Sequence, residues 1–414
     1  MIGTDHWIGN GEPALLDPEY WLHRAVHTGW LKNPFQARPH SVAQAVAEYR
    51  REVGALLNRP LLGQFAERIS PLELARSLDR TEWLNGVPIY GLIVNRTDLK
   101  MLPRAAPLLT AAWPRDLDRN QQSGLEPGDS CQLFASNADC SWYGVITRRG
   151  AGWVAARDLA VAGATPVDHH TTQLPALITL DPEHTLKPFH GLPRSAGMGC
   201  SFPAVDPFRR VVLIPSRTRS GELRWREAVI DGRVCAGHLA PTVPNLIRQA
   251  FKYLGRRYAW GDRNPGGRTG LDCSRLVQNV LQTLGWTVPR NSREQLAAGR
   301  RVLPLGESGP EERGALLDGL MPGSLLYTDS HALIYLGRTP NGWYAIHACY
   351  SYLEKHGDRE KRRAVKRVIV SDLELGLGSS GGSLWQRLTG AVPVVGKEEQ
   401  HEAVSSDRRG DCQR

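Results

Sequence analysis

One cysteine and two histidines have the residue types and the order along the chain that nucleophilic catalysis requires. Cys273 lies at the predicted start of a helix, and His331 and His347 lie on strand-like segments further along the chain. A helix N-terminus favours a thiolate, one imidazole can take up the thiol proton, and a second imidazole can orient the first. The three residues therefore predict a cysteine hydrolase with a thiolate–imidazolium pair.

Each of these residues has a simpler interpretation when it is taken alone. A single cysteine is usually a small buried apolar side chain, and a single histidine is more often structural than catalytic. The order of the three residues favours catalysis, as do the glycines close to the cysteine at positions 261, 266, 267 and 270. Asp272 would raise the pKa of the neighbouring thiol, so we expect its carboxylate to cap the helix instead.

The elements that must position these residues follow from apolar periodicity. Residues 245–255 and 272–284 each have an apolar stripe at helical spacing. Strand-like segments follow at residues 324–328, 331–338, 343–350 and 365–371. Helices followed by an antiparallel sheet predict an α+β core.

Upstream of this core, the residue pattern predicts first a helical segment and then a β-rich segment. Residues 1–85 read as mostly helical, with helices beginning at Ser41 and at Ser70. Between residues 86 and 240, short β-prone runs separated by turn residues predict two small barrels, joined by a linker at residues 162–175. The charged residues 397–414 are expected to be a disordered tail.

Composition limits the classes of partner. The formal net charge is +9, from 51 Lys and Arg against 42 Asp and Glu, which suits either an anionic partner or a mildly basic soluble protein. The densest basic run, residues 355–367, lacks interleaved aromatic residues, so no nucleic-acid partner is expected. No apolar stretch is long enough for a membrane span, and no signal peptide is visible.

The cysteines and the remaining histidines do not suggest a metal site. The seven cysteines form no CxxC pair, and the pair His169 and His170 has no acidic or thiol ligand at a suitable spacing. Cys131 and Cys140 flank a predicted turn and could form a disulfide, although two thiols are the default interpretation. We therefore expect neither a metal nor another cofactor.

The residues around the cysteine resemble a known family. The matching motifs are Tyr-x-Trp-Gly at 258–261, Asp-Cys-Ser at 272–274, Pro-Arg-Asn-Ser at 289–292, Pro-Gly at 322–323, and the segments that carry His331 and His347. They resemble the NlpC/P60 peptidases over residues 245–395. This resemblance implies a papain-like fold and cleavage of peptidoglycan peptides, commonly between γ-D-glutamate and a diamino acid.

The resemblance extends more weakly to the rest of the chain. Residues 86–165 and 166–243 resemble two bacterial SH3-like domains, and residues 1–85 resemble the helical stabilising segment that precedes them in multidomain members. The resulting organisation is a helical N-terminal segment, two SH3-like β-barrels, a papain-like NlpC-type domain at 244–395, and the tail at 396–414.

The resemblance also implies roles for individual residues. Cys273 matches the nucleophile, His331 the general base, and His347 the residue that orients this base. The residues expected to contact substrate are Tyr258, Trp260, Ser274, Arg275 and Asn291. Two of these depart from the family pattern: some relatives carry Asp where Asn291 stands, and Arg275 replaces a glycine. Arg275 is expected to narrow the cleft or to bind a substrate carboxylate.

The expected function is hydrolysis of an amide bond in peptidoglycan stem peptides or muropeptides by a monomer. One alternative is a peptidoglycan-binding adaptor without catalytic activity, and another is a papain-like acyltransferase or esterase. Because the substrate lies outside the cytoplasm, the cell envelope or periplasm is the expected location. Recycling of imported wall peptides in the cytoplasm is the alternative.

Overall fold

The structure, a computed structural model, describes residues 13–23, 29–36, 41–78, 81–84, 86–110, 117–165, 173–263 and 269–396. The predicted tail, except Gly396, lies outside these residues, as do His169, His170 and part of the predicted linker. No helix in these ranges is long and apolar enough to span a bilayer. The described cysteines are free thiols, including Cys131 and Cys140.

The helices begin where capping residues occur in the sequence. They are α1 (Pro18–Leu22), α2 (Val42–Leu57), α3 (Pro71–Arg76), α4 (Val243–Phe251), α5 (Cys273–Thr283), α6 (Ser292–Ala297), α7 (Pro310–Asp318) and α8 (Leu384–Arg387). Ser41 and Gln44 form a reciprocal capping box at the start of α2. Ser70 accepts the Glu73 amide at the start of α3, as predicted. Local sequence therefore determines these starts.

The N-terminal region is less helical than predicted. It also contains the short strands β1 (Leu31–Lys32), β2 (Leu61–Leu62), β3 (Arg68–Ile69) and β4 (Thr81–Trp83). These strands pair partly with distant segments: β1 with β25 (Val395–Gly396), and β2 with β7 (Leu109–Thr110). A pattern of two residues cannot reveal such pairing, because its partners lie far away in sequence.

An antiparallel sheet follows, at the position of the first predicted barrel. Besides β4, this sheet contains the strands β5 (Ile89–Ile93), β6 (Thr97–Lys100), β8 (Gln121–Leu125), β9 (Ser130–Asn137), β10 (Trp142–Thr147), β11 (Gly150–Ala155) and β12 (Leu159–Gly163). Their order is β12-β5-β9-β10-β11-β6-β8, and β4 pairs with β9. Helix α2 packs on β11, where the Trp153 indole donates to the Tyr49 hydroxyl at 2.6 Å. We call residues 81–163 the first β-region.

A second antiparallel sheet occupies the position of the other predicted barrel. Its strands are β13 (Ala176–Thr179), β14 (His184–Pro188), β15 (Arg194–Ala196), β16 (Ser201–Asp206), β17 (Val211–Arg217), β18 (Leu223–Ile230) and β19 (Val234–Ala236). They are ordered β15-β14-β18-β17-β16-β13-β19 around a separate apolar core. We call residues 176–236 the second β-region; that either region is SH3-like stays a prediction.

The C-terminal part has the predicted α+β arrangement. The strands β20 (Leu325–Thr328), β21 (His331–Thr339), β22 (Gly342–His356), β23 (Arg359–Asp372) and β24 (Gly390–Val392) form a sheet ordered β23-β22-β21-β20-β24. Helix α5 packs against β21 and β22, and α4 packs against α5. Leu276, Val277 and Val280 of α5 are fully buried in this core. The packing places the first turn of α5 beside the start of β21.

Candidate active site

Cys273 is the first residue of α5, and Asp272 is the N-cap. The Arg275 amide donates to Asp272 Oδ1 at 3.0 Å, so the predicted capping role of this carboxylate is confirmed. The backbone amides of Ser274 and Ala332 donate hydrogen bonds to the Cys273 sulfur. Since Ala332 directly follows His331, the start of β21 lies at the thiol.

The two histidines form a hydrogen-bonded chain that ends at a serine. His331 Nε2 lies 2.8 Å from His347 Nδ1, and His347 Nε2 lies 3.0 Å from the Ser371 hydroxyl. Ser371 donates its own proton to the Asp372 carbonyl at 2.9 Å, so it accepts from His347 Nε2. This order makes His331 Nε2 the donor to His347 Nδ1 and leaves His331 Nδ1 as a proton acceptor.

The charge state of the site differs from the sequence-based prediction. The pKa of the Cys273 thiol is raised to about 12, mainly by burial and also by the negative charge of Asp272. Burial lowers the pKa of His331 to about 4, helped by the positive charge of Arg387. At neutral pH both groups are therefore neutral without substrate, because burial penalises either charge more than the helix end stabilises the thiolate.

Arg290 is a site residue to which the sequence analysis assigned no role. Its guanidinium pairs with Asp272 Oδ2 at 2.6 Å and donates to the Ser274 hydroxyl at 2.9 Å. It also donates to the Ser123 hydroxyl of β8 at 2.8 Å. Burial would raise the pKa of Asp272, but Arg290 and the backbone amides hold it below its ordinary value. The only sequence signal was its place in the Pro-Arg-Asn-Ser motif.

Comparison with known proteins identifies this part of the chain. Residues 255–355, which contain the cysteine and both histidines, match the NlpC/P60 family. The C-terminal part of the chain, which contains these matched residues, is therefore an NlpC/P60 domain, and we use this name for it below. A segment of 57 residues is 44% identical to the bifunctional muramidase/DL-endopeptidase CwlT of Bacillus subtilis, covering 14% of this chain and 17% of that protein. A segment of 121 residues is 32% identical to the γ-DL-glutamyl hydrolase of Bacillus subtilis, covering 27% and 26% of the two chains.

The whole chain also has a structural neighbour. An NlpC/P60 endopeptidase from Photobacterium damselae subsp. piscicida superposes with a TM-score of 0.71 and 17% identity, over 92% of each chain. At this identity the likeness concerns the fold alone. The chain spans only about a sixth to a quarter of the length of the two Bacillus relatives.

The residues expected to contact substrate occupy different environments in the NlpC/P60 domain. Tyr258 is buried, with its ring 5.3 Å from that of Tyr350, and Ser274 is held by Arg290. Trp260 and Asn291 are exposed, and both line a cavity of about 990 Å³ that also reaches Arg290. The structure thus brings Trp260, Arg290 and Asn291 to one cavity.

Arg275 does not have the predicted role in the NlpC/P60 domain. Its side chain is only 2% exposed, and its Nε lies 3.0 Å from Asp262 while its Nη2 lies 3.5 Å from Glu126. A guanidinium enclosed by two carboxylates has no free face for a ligand. The prediction that Arg275 narrows the cleft or binds a substrate carboxylate was therefore wrong; this residue joins the NlpC/P60 domain to the first β-region.

Proposed function

We propose that the protein is a cysteine endopeptidase that hydrolyses amide bonds in peptidoglycan stem peptides. The observation that carries the proposal is the chain from Cys273 through the start of β21 to His347 and Ser371. The match of residues 255–355 to the NlpC/P60 family supports the same reaction class. In this proposal Cys273 is the nucleophile, His331 the base and His347 the orienting group, the three roles that amide hydrolysis through a thioester requires.

The neutral resting state suggests the order of proton transfer. His331 Nδ1 accepts the thiol proton as the sulfur attacks the substrate carbonyl, because neither group is charged beforehand. Backbone amides at the start of α5 stabilise the oxyanion. The protonated His331 then donates its proton to the leaving amine, and water hydrolyses the thioester on Cys273. His347 and Ser371 hold the imidazole of His331 in the tautomer that this sequence of steps needs.

The bond that we propose is the one between γ-D-glutamate and the diamino acid. Support comes from the names of two relatives, a DL-endopeptidase and a γ-DL-glutamyl hydrolase. Because peptidoglycan lies in the cell envelope, we place the protein there as a monomer. The domain boundaries 1–85, 86–165, 166–243 and 244–395 and the SH3-like nature of the middle two belong to the same proposal.

The proposal is tested by digestion of L-Ala-γ-D-Glu-diaminopimelate and analysis of the products by mass spectrometry. We expect L-Ala-γ-D-Glu from the wild type and at least a thousandfold lower rate from Cys273→Ala, on the order of the loss seen when other covalent nucleophiles are removed. Cys140→Ala, which removes an exposed thiol of the first β-region, is the matched control and should retain activity. Undiminished cleavage by Cys273→Ala would refute the proposal.

Two further measurements, sedimentation with sacculi and digestion with an added amine acceptor, separate the two alternatives. A peptidoglycan-binding adaptor would sediment with purified sacculi and yield no product. An acyltransferase would transfer the acyl group to an added amine acceptor, and the mass of that product differs from the mass of the hydrolysis product.

A further inference from the structure

The hairpin formed by β22 and β23 extends beyond the end of the sheet where the candidate active site lies. β21 begins at His331, and its register with β22 places the level of that residue near Cys349. Beyond that level β22 and β23 stay paired with each other, and the ladder ends at His356 opposite Arg359. We call residues 350–367 the arm. At about 3.3 Å for each residue of a strand, its part of β22 spans about 23 Å.

The base of the arm is fixed beside the segment that carries Tyr258. The Tyr258 amide donates to the Lys366 carbonyl at 2.9 Å, and the Tyr258 ring lies 5.3 Å from the ring of Tyr350. A bulge at this point shifts the register after Cys349 and gives Lys366 a positive φ of 53°. Bulges bend a strand and re-aim the residues beyond them. The arm therefore has a fixed origin next to a residue that is expected to contact substrate.

The outer part of the arm is supported on one side. Glu360 accepts hydrogen bonds from the Ser380 amide and, at 2.6 Å, from the Ser380 hydroxyl. Leu353 and Lys355 lie against the glycines of residues 376–381. Because side chains alternate between the two faces of a hairpin, every second residue of each strand faces away from this support. The arm is therefore held both at its base and along one face.

The arm has a net positive charge when all of its charged residues are counted. It contains seven Lys and Arg against three Asp and Glu. Glu354 pairs with Arg363, which leaves Asp358 and Glu360 as the acids of the arm without an ion pair among the described residues. Three exposed cations of the outer arm likewise form no ion pair in the part of the chain that the structure describes: Lys355, Arg359 and Lys361.

The segments packed against the arm do not cancel this charge. Residues 255–258 add two arginines, of which Arg256 pairs with Glu183 at 3.4 Å. Residues 372–382 add two acids and no Lys or Arg. Arm and neighbours together therefore keep a surplus of positive charge beside the candidate active site.

The mixture of charges indicates which kind of anion fits the arm. A nucleic acid carries a charge on every nucleotide, so the acids between the cations would repel it, and residues 354–363 contain no Phe, Tyr or Trp on which bases could stack. A polymer with both carboxylates and amines matches a surface of excess cations and isolated acids better. Peptidoglycan has this chemistry, because γ-linked glutamate leaves its α-carboxylate free and a diamino acid leaves one amine free.

We propose that the arm binds the peptidoglycan strand, through carboxylates of stem peptides next to the one that is cut. The inference deepens the proposed function, on which it rests for the identity of the polymer. A tripeptide spans on the order of 10–15 Å, so it cannot occupy the candidate active site and also reach along the arm. The arm therefore selects stem peptides that are still attached to a strand over released fragments.

The test measures binding by the full chain with Cys273→Ala, which is expected to leave the strands uncut. A second protein adds three substitutions in the outer arm: Lys355→Gln, Arg359→Gln and Lys361→Gln. The ligands are soluble peptidoglycan strands without cross-links and the same strands with amidated carboxylates. We expect the arm substitutions to weaken binding to native strands about three- to a hundredfold, as the loss of three exposed ion pairs would. On amidated strands, or at high salt, this difference should vanish.

Activity gives a second measurement. In the protein that keeps Cys273, the arm substitutions should lower kcat/KM for native strands by a similar factor. They should leave kcat/KM for L-Ala-γ-D-Glu-diaminopimelate unchanged. The matched control removes three exposed cations of the second β-region and should behave as the wild type does; its substitutions are Arg219→Gln, Arg224→Gln and Arg233→Gln.

Three results would overturn the inference. The arm substitutions leave binding to native strands unchanged, they weaken binding to amidated strands equally, or they weaken binding to polyphosphate or to vesicles of anionic lipid more than binding to strands. Strand binding that depends on the arm, in a wild type that cuts no stem peptide, would refute the proposed function and support the role of the arm.

Discussion

At the residue scale, the candidate active site holds two titratable groups that burial keeps neutral. The pKa of Cys273 is raised to about 12 and that of His331 is lowered to about 4. His347 has a pKa well below its ordinary value because of burial and the charges of His331 and Arg387. A neutral thiol and a neutral imidazole require the proton to move during attack, and the pH dependence of the reaction should show this.

We predict that kcat/KM is constant between about pH 6 and pH 9 and falls as the pH drops through about 4. The reason is that His331 can accept the thiol proton only while it is unprotonated, and the thiol itself does not ionise in this range. The measurement is kcat/KM from pH 3.5 to 10, with samples returned to pH 7 to exclude irreversible unfolding. A fall in activity between pH 7 and pH 9 would show a thiolate–imidazolium pair instead.

At the element scale, the start of α5 is held by a buried ion pair as well as by its cap. Asp272 accepts the Arg275 amide as an N-cap, and it also accepts the Gly261 amide and pairs with Arg290. The helix that carries Cys273, the proposed nucleophile, is thereby connected to the Pro-Arg-Asn-Ser turn before α6. Removing one partner of a buried pair leaves the other charge without compensation.

We predict that Asp272→Asn lowers the free energy of unfolding by about 3–5 kcal/mol, since the amide can still cap α5 but leaves Arg290 unpaired. Ser41→Ala, which removes the N-cap of the exposed helix start at α2, should cost only about 1 kcal/mol. Urea unfolding followed by tryptophan fluorescence compares the two variants. Equal losses would mean that the Asp272–Arg290 pair contributes no more than a cap.

At the scale of the whole molecule, Glu126 connects three parts of the chain. It pairs with Arg96 of the first β-region at 3.2 Å and with Arg275 of the NlpC/P60 domain at 3.5 Å, and it accepts the Gly197 amide of the second β-region at 3.0 Å. Its side chain is only 2% exposed. One carboxylate therefore links the first β-region both to the NlpC/P60 domain and to the second β-region.

We predict that Glu126→Gln lowers the unfolding temperature and separates unfolding into more than one calorimetric transition. The amide can keep the contact with Gly197 but leaves Arg96 and Arg275 without their shared counter-ion. Glu227→Gln, a change at an exposed position of β18, is the control and should unfold as the wild type does. An unchanged calorimetric profile for Glu126→Gln would show that apolar contacts alone couple the three parts.

The parts of this protein that the sequence predicted are those with local causes. The capped starts of α2, α3 and α5 are confirmed, because each depends on residues within one helical turn. The α+β core is confirmed as well, because its helices and strands have clear apolar periods. The short strands of the N-terminal region were missed, since their partners lie elsewhere in the chain.

By itself, the sequence identified Cys273 as the candidate nucleophile, the two histidines as its candidate partners, and the order of the elements that carry them. Only the tertiary structure decided their charge state, because burial of Cys273 and His331 depends on everything packed around them. It also decided the roles of Arg275 and Arg290, whose partners Glu126 and Ser123 lie 149 and 167 residues away. Contacts of such long range depend on how the first β-region packs against α5, which no local pattern of residues encodes.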